Sequence, residues 1–332
     1  MNARSQLTDE LLSVRDVTVE FQTPRGSIRP VNHASFSVAR GRSLGVVGES
    51  GSGKSLTLRA ILGIVPAPGR ITGGDIRLGA DDLTHLDDGH LRRIRGRRIS
   101  MIFQDPMASL NPVLTVGDQM VETLRSKAGL TGRAAQDRAV GLFERVGIRE
   151  PQLRLRDYPH QFSGGMAQRV MIAIAIAAGP ELLLADEPTT ALDVSIQDQV
   201  LDLMADLEAE FGMATILVSH DIGVIARSCD SVAVMYAGRI LERGAVDEVL
   251  RHPRHPYTQM LIGSVPSIVP NTGRKALTAI PGQLPDLAEV LDGCPFITRC
   301  PHARPACRAV DMRLDQPEGA HGSACPFVEA AA

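Results

Sequence analysis

The sequence predicts an α/β fold: a mostly parallel sheet with flanking helices, built around a phosphate-binding loop. A small antiparallel β subdomain, an inserted helical subdomain and a cysteine-rich C-terminal tail complete it. Three observations predict this. The apolar run Leu44–Val47 leads through Gly48-Glu49-Ser50-Gly51-Ser52-Gly53-Lys54-Ser55 into a helix-like stretch from Leu56 to Leu62, giving a strand, a glycine-rich turn and a helix start. Leu182–Ala185 and Thr215–Val218 are continuous apolar runs of the kind found in buried parallel strands, and each ends in polar residues. Between the loop and those strands, Val116 to Ala178 is mostly of helical period.

The loop has the G-x-x-x-x-G-K-[ST] form in the context that form needs. Gly48, Gly51 and Gly53 let successive N–H groups converge on one point. The helix that begins at Lys54 adds its positive dipole end, which suits a polyphosphate. Lys54 is expected on the β- and γ-phosphates and the Ser55 hydroxyl on Mg²⁺.

Bulk properties exclude several classes. The chain has 332 residues, 44% apolar and 22% charged, with net charge −3. There is no basic excess and there are few aromatics for base stacking, so no nucleic-acid partner is expected. Met1 to Glu10 is polar, so no secretion signal is expected there, and the most apolar run, Val170 to Ala178, is far short of a bilayer span. The chain is expected to be soluble, with any membrane role coming through a partner.

In chain order, Leu12 to Phe21 alternates as a half-buried strand, and Ser35–Val38 and Asp75–Leu78 read as further strands of a small antiparallel sheet. Phe21 is placed to stack on a nucleotide base or, equally, to pack as an edge or core residue. Ile99–Phe103 is a short strand that delivers Gln104 near a carboxyl-end crevice, where ligands bind in α/β proteins. Taken alone, Gln104 is more often a loop residue than a ligand. Val121, Leu124, Val140, Phe143 and Val146 read as core-facing helical positions. Ser163-Gly164-Gly165 precedes the apolar helix Met166–Ala178, which makes it either a plain N-cap or a second anion-binding device. Asp186-Glu187 follows the Leu182–Ala185 strand, where two carboxylates belong at the strand tip rather than in a core. Asp186 would hold Mg²⁺ through water and Glu187 would polarise an attacking water. His220 stands at the tip of the next strand, and Ser231–Glu242 reads as a hairpin around Ala237-Gly238.

Four of the five cysteines, Cys294, Cys300, Cys307 and Cys325, fall in the last 39 residues, while Cys229 reads as structural. The tail has too few apolar residues for its own core, so a staple is expected. Disulfides suit a reducing compartment poorly. The C-x₅-C-x₆-C-x₁₇-C spacing lacks the tight zinc knuckle, while a [4Fe–4S] cluster accepts four thiolates at varied spacings.

In order, the phosphate loop, Gln104, Phe162-Ser163-Gly164-Gly165-Met166-Ala167-Gln168, Asp186-Glu187, Ala191-Leu192-Asp193 and His220 resemble the ATP-binding subunits of ABC transporters, over roughly Leu12 to Leu261. The signature departs from the commonest LSGGQ form at Phe162 and Met166, keeping the serine and both glycines. Gln104–Pro112, Tyr158–Gln161, His255-Pro256-Tyr257-Thr258 and the cysteine tail resemble the oligopeptide/dipeptide importer branch. The resemblance implies a P-loop ATPase domain over 1–265, with a helical subdomain at about 105–179, and an importer-type extension over 266–332.

It also implies that ATP lies between the loop of one subunit (Gly48, Glu49, Ser50, Gly51, Ser52, Gly53, Lys54, Ser55 and Leu56, with Phe21) and the signature turn of another (Ser163, Gly164, Gly165 and Gln168, with Asp193). Glu187, His220 and Gln104 are the implied catalytic set, and Ser55, Gln104 and Asp186 the implied magnesium set. Some ATPases of this branch carry a [4Fe–4S] cluster on cysteines placed like Cys294, Cys300, Cys307 and Cys325, with Zn²⁺ the alternative here. The implied partners are a second ATPase subunit (a paralogue, or a second copy of this chain), two transmembrane permeases and an extracytoplasmic binding protein. The chain would then sit peripherally on the cytoplasmic face of the inner membrane. A soluble ABC-type clamp, or an importer of nickel or sugars, are the alternative readings.

Overall fold

The structure, a computed structural model, describes residues 10–24, 26–190, 192–264, 279–288, 293–314 and 320–327. Its strands are β1 (Glu10–Thr23), β2 (Gly26–Ala39), β3 (Ser43–Val47), β4 (Arg70–Leu78), β5 (Asp81–Asp82), β6 (Ile99–Ile102), β7 (Leu182–Asp186), β8 (Ala214–Ser219), β9 (Ser231–Tyr236), β10 (Arg239–Ala245) and β11 (Gly322–Ser323). The chain divides into two compact units. The first takes the described parts of residues 1–38, 43–85 and 217–332, the second residues 39–42 and 86–216. The domain boundary expected after residue 265 lies outside the described residues. The described parts of the extension belong to the same unit as the phosphate loop.

In the first unit, four strands form the small sheet in the order β2-β1-β4-β5. β1 runs antiparallel to β4, with Leu12 opposite Leu78 and Val14 opposite Ile76. Leu11 to Val14 and Val17 to Val19 are buried without a break in either run, so β1 is covered on both faces there rather than half-buried as its alternation suggests. The two runs are separated by Arg15 and Asp16, where the register with β4 shifts between Arg15 and Thr18 and again between Thr18 and Val19. Asp16 takes a φ of 52° at this irregularity.

β3 is buried along its whole length and lies parallel to β9, with Val46 opposite Ala233. β9 and β10 form the hairpin expected around Ala237-Gly238, with Tyr236 opposite Arg239. Both turn residues have positive φ, 46° and 83°, as a two-residue turn matched to strand twist requires. β11, from the extension, adds to the edge of β10, pairing Ser323 with Glu242.

In the second unit β6 and β7 are parallel, with Ile99 opposite Leu182 and Ile102 opposite Ala185. Helices Val116–Ala128, Gly132–Arg145, Gly164–Ile176 and Val194–Phe211 belong to this unit. Leu124, Phe143 and Val146 are core residues as expected. Val121 and Val140 are only half-buried; the inward rows are Val116, Met120 and Leu124 in one helix and Ala135, Ala139, Leu142 and Phe143 in the other. A one-residue offset rotates a side chain about 100° around a helix, enough to move those valines off the core face. Helix Gly164–Ile176 buries eight of its thirteen residues, as a helix apolar all round must. Among the described residues no helix is long and apolar enough to cross a membrane.

Candidate functional site

β3 ends at Val47 and the chain turns through the phosphate loop into helix Lys54–Ile61. At Gly48 a Cβ would lie 2.0 Å from the Met235 carbonyl oxygen, and at Gly53, with φ 106°, 2.1 Å from that of Pro30. Glycine is therefore required at both ends of the loop. We expect Gly53→Ala to cost more than about 2 kcal/mol, since it adds a left-handed alanine to a backbone clash. A denaturant midpoint unchanged from the parent chain would contradict this.

Inside the loop, Ser52 N–H donates to the Glu49 carbonyl (3.1 Å), and Gly238 N–H, from the β9–β10 turn, donates to the Ser52 carbonyl (2.8 Å). Lys54 is 4% exposed, and its Nζ donates to the carbonyls of Gly48 (2.8 Å) and Glu49 (2.9 Å). The ammonium is thus held within the curl of its own loop. Gly53 caps the helix without a side-chain bond to its first-turn N–H groups, the arrangement that anions meet at helix N-termini. Ser55 and Leu56 are half-buried in that first turn, while Ser50 and Gly51 are exposed. Phe21 is half-buried on β1 with its ring against Gly69, where a Cβ would come within 2.4 Å of it. His220 is exposed beyond the end of β8, and the neighbouring Asp221 caps helix Ile222–Ser228.

The second unit gathers the other candidates. Asp186 ends β7 and is 3% exposed, and Glu187 follows it with a φ of 46°. A non-glycine residue in that region costs on the order of 1–3 kcal/mol, a cost proteins carry mainly at functional sites. The Glu187 carboxylate accepts from Gln104 Nε2 (3.2 Å) and Thr190 Oγ1 (2.9 Å). Gln104, expected either as ligand or as plain loop, is thus joined to Glu187. The Thr190 contact went unread in the sequence, where a threonine after Pro188 carries no signal of its own. Ser163 is the N-cap of helix Gly164–Ile176, accepting from Met166 N–H at 3.4 Å, and both Ser163 and Gly164 are exposed. Gln168 differs from the rest of that turn: it is 1% exposed and faces the interior of its unit. Asp193 is exposed as the N-cap of helix Val194–Phe211, and Ala191 lies outside the described residues.

The extension returns to the first unit. Phe296 is fully buried, its ring 5.3 Å from both Tyr236 and Tyr257, which are themselves 4.7 Å apart. None of the five cysteines is in a disulfide, and Cys294, Cys300, Cys307 and Cys325 line a single cavity together with His255 and Met312. Burial, helped by the charges of the other three thiols, pushes Cys294 up to about 12, and burial raises Cys300 as well. Such thiols stay protonated unless a cation compensates their charge. Burial pushes His255 down to about 3, so the ring is neutral. Its Nδ1 accepts from Tyr257 N–H (3.0 Å), which leaves the proton on Nε2, 3.9 Å from Cys294 Sγ. The donor set thus has the chemistry of a metal site. Among the described residues, however, no three His, Cys, Asp or Glu side chains are gathered closely enough to hold a metal ion.

A glycine-rich loop closing on its lysine, and a strand ending in paired carboxylates, define a P-loop nucleotide-binding protein. Comparison with known proteins narrows the class. The model of the ABC transporter family matches residues 31–190, and that of the oligopeptide/dipeptide transporter C-terminal region matches residues 241–307. The oligopeptide transport ATP-binding protein of Bacillus subtilis is 48% identical over 88% of this chain and 82% of its own length. The dipeptide transport ATP-binding protein of Haemophilus influenzae is 44% identical over 92% of each. Among solved structures, a dimeric ATP-binding cassette in a post-hydrolysis state with ADP and Pi has 27% identity and a TM-score of 0.64, covering 71% of this chain and 99% of that one. The chain belongs to the oligopeptide/dipeptide branch of the ABC transporter ATP-binding proteins, and its fold is that of an ATP-binding cassette.

Proposed function

We propose that this chain binds and hydrolyses ATP to power the import of oligopeptides or dipeptides, as one of two ATPase subunits docked on two permeases at the cytoplasmic face of the membrane. The observation that carries this reading is the phosphate loop seating Lys54 over the Gly48 and Glu49 carbonyls, in a chain whose relatives are peptide-transport ATP-binding proteins. Gly48, Glu49, Ser50, Gly51, Ser52, Gly53, Lys54, Ser55 and Leu56 would bind the nucleotide phosphates, with Phe21 at the base. Ser55, Gln104 and Asp186 would serve Mg²⁺, which when bound neutralises the charge of the β- and γ-phosphates.

Glu187 would take the proton of the attacking water, and Gln104 and Thr190 fix the carboxylate that does so. His220 would steady the γ-phosphate. The exposed Ser163 and Gly164, with Gly165 and Asp193, would meet the ATP of the neighbouring subunit, so that closure excludes water and completes the cradle. Buried Gln168 would support that turn from behind. The test is uptake into vesicles that hold the permeases, with the partner ATPase and this chain on the inner side and the binding protein with labelled peptide outside: peptide should accumulate with enclosed MgATP and not with enclosed MgADP. Equal accumulation with MgADP would contradict the reading.

For the extension we propose that Cys294, Cys300, Cys307 and Cys325 ligate a [4Fe–4S] cluster, with zinc as the alternative. Their sharing of one cavity supports this. The cluster would supply the positive charge that four thiolates lining one cavity need, and the His255 Nε2–H would donate toward Cys294 Sγ. Anaerobically purified protein is expected to be brown, with visible absorbance lost in Cys300→Ser. A colourless anaerobic preparation with stoichiometric zinc would contradict the cluster.

A further inference from the structure

Glu49 stands where the G-x-x-x-x-G-K-[ST] pattern specifies no residue, yet it is gripped from outside at two points. Its N–H donates to the Tyr257 hydroxyl at 3.0 Å. Its carboxylate takes both ends of the Arg299 guanidinium, Nη1 to Oε2 at 2.7 Å and Nη2 to Oε1 at 3.0 Å. Arg299 comes from the cysteine-rich extension, between Phe296 and Cys300, and is 8% exposed overall. Every other donor it has is also engaged: Nε with the Pro281 carbonyl at 2.6 Å, and Nη groups with the Tyr236 hydroxyl at 3.2 Å and the Ile280 carbonyl at 3.4 Å. The guanidinium also lies 5.7 Å and 5.9 Å from the ring centres of Tyr236 and Phe296. A planar fork held this way has one orientation and presents a bidentate partner to one carboxylate.

The consequence reaches the lysine. The Glu49 carbonyl is one of the two acceptors that seat Lys54 Nζ, and it also receives Ser52 N–H. The bond at the Glu49 N–H holds the peptide whose carbonyl is that of Gly48, the lysine's other acceptor. The grip on the side chain restrains the Glu49 backbone, whose carbonyl orients both the lysine and the loop's own turn. The residues that would meet a phosphate are in this way anchored across 250 residues of sequence to the extension.

We propose that Arg299 is a positioning residue for nucleotide binding: through Glu49 it holds the phosphate loop in the shape that receives ATP, so that the extension sets the affinity of the site. This rests on the reading that the loop holds ATP. A preformed loop spares the bound state the cost of ordering it, so the contribution falls on affinity rather than on the chemical step.

The test uses the full chain assembled with its transporter partners, with ATP as the probe. Arg299→Met keeps length and apolar contact and removes the fork. It is expected to raise both the Kd and the KM for ATP about tenfold while kcat stays within about twofold. Arg299→Lys should recover part of the loss. Glu49→Gln should show the same affinity defect, and the double variant should be no worse than either single one, because both remove one interaction. Unchanged ATP affinity in folded Arg299→Met, or additive losses in the double variant, would overturn the proposal. Should Arg299→Met fail to fold, Glu49→Gln leaves the aromatic packing in place and carries the test alone, unchanged affinity there being the overturning result. Lys54→Ala separates the two readings. Lost ATP binding in that variant with normal binding in Arg299→Met sinks the positioning role only, whereas normal binding in Lys54→Ala sinks the nucleotide assignment itself.

Discussion

Glu187→Gln is expected to bind ATP with its ordinary affinity and to hydrolyse it at least about a hundredfold more slowly, the scale of a lost general base. The substitution is close to isosteric. An amide oxygen at the same place still accepts from Gln104 Nε2 and Thr190 Oγ1, which now hold the carboxylate at 3.2 Å and 2.9 Å. The left-handed backbone at this position, φ 46°, is unchanged by it. What disappears is the capacity to take a proton from water. Because ATP then persists, and because a ligand shifts an equilibrium through its differential affinity for the two states, the ATP-closed arrangement of the two ATPase subunits should accumulate. Phosphate release measured beside ATP binding checks both halves. Turnover within a few-fold of the parent would remove Glu187 from the role of base.

Lys54→Ala is the second large effect. The ammonium carries the one full positive charge in the loop, and charge-assisted hydrogen bonds contribute roughly 1.5–3 kcal/mol each, so affinity for ATP should fall between about tenfold and a few hundredfold. The substitution also strips a donor from the Gly48 and Glu49 carbonyls, so the nucleotide-free protein should lose stability as well. Titration with labelled ATP and a melting curve without nucleotide separate the two effects. A melting shift with unchanged ATP affinity would mean that the lysine is a structural tie and not a phosphate ligand.

Much of this was legible in the sequence because local chemistry forces it. Three glycines before a lysine and serine permit few other shapes, and Leu182–Ala185 followed by two carboxylates has to be a buried strand with a polar tip. The β9–β10 hairpin was readable from Ala237-Gly238 for the same reason. What escaped reading depends on tertiary context. That β1 is covered on both faces and breaks register at Asp16 follows from its pairing and packing and not from the alternation itself. Val121 and Val140 satisfy a helical period yet lie beside the inward rows, since a period fixes spacing but not which face finds a partner. Gln168 sits in the signature by sequence but is turned inward by the apolar helix that carries it. Arg299 had no readable role: an arginine beside a cysteine signals nothing until folding brings it to Glu49.

One magnesium nucleotide is expected to be shared between the Lys54 loop of one subunit and a signature turn of the other. The most direct measurement is a structure of the assembled transporter with Glu187→Gln in this chain and ATP bound. The account predicts γ-phosphate oxygens within hydrogen-bond distance of Lys54 Nζ, and Ser163 of this chain against the nucleotide held by the partner ATPase. ATP seated away from Lys54, or Ser163 left facing solvent in the closed complex, would contradict it.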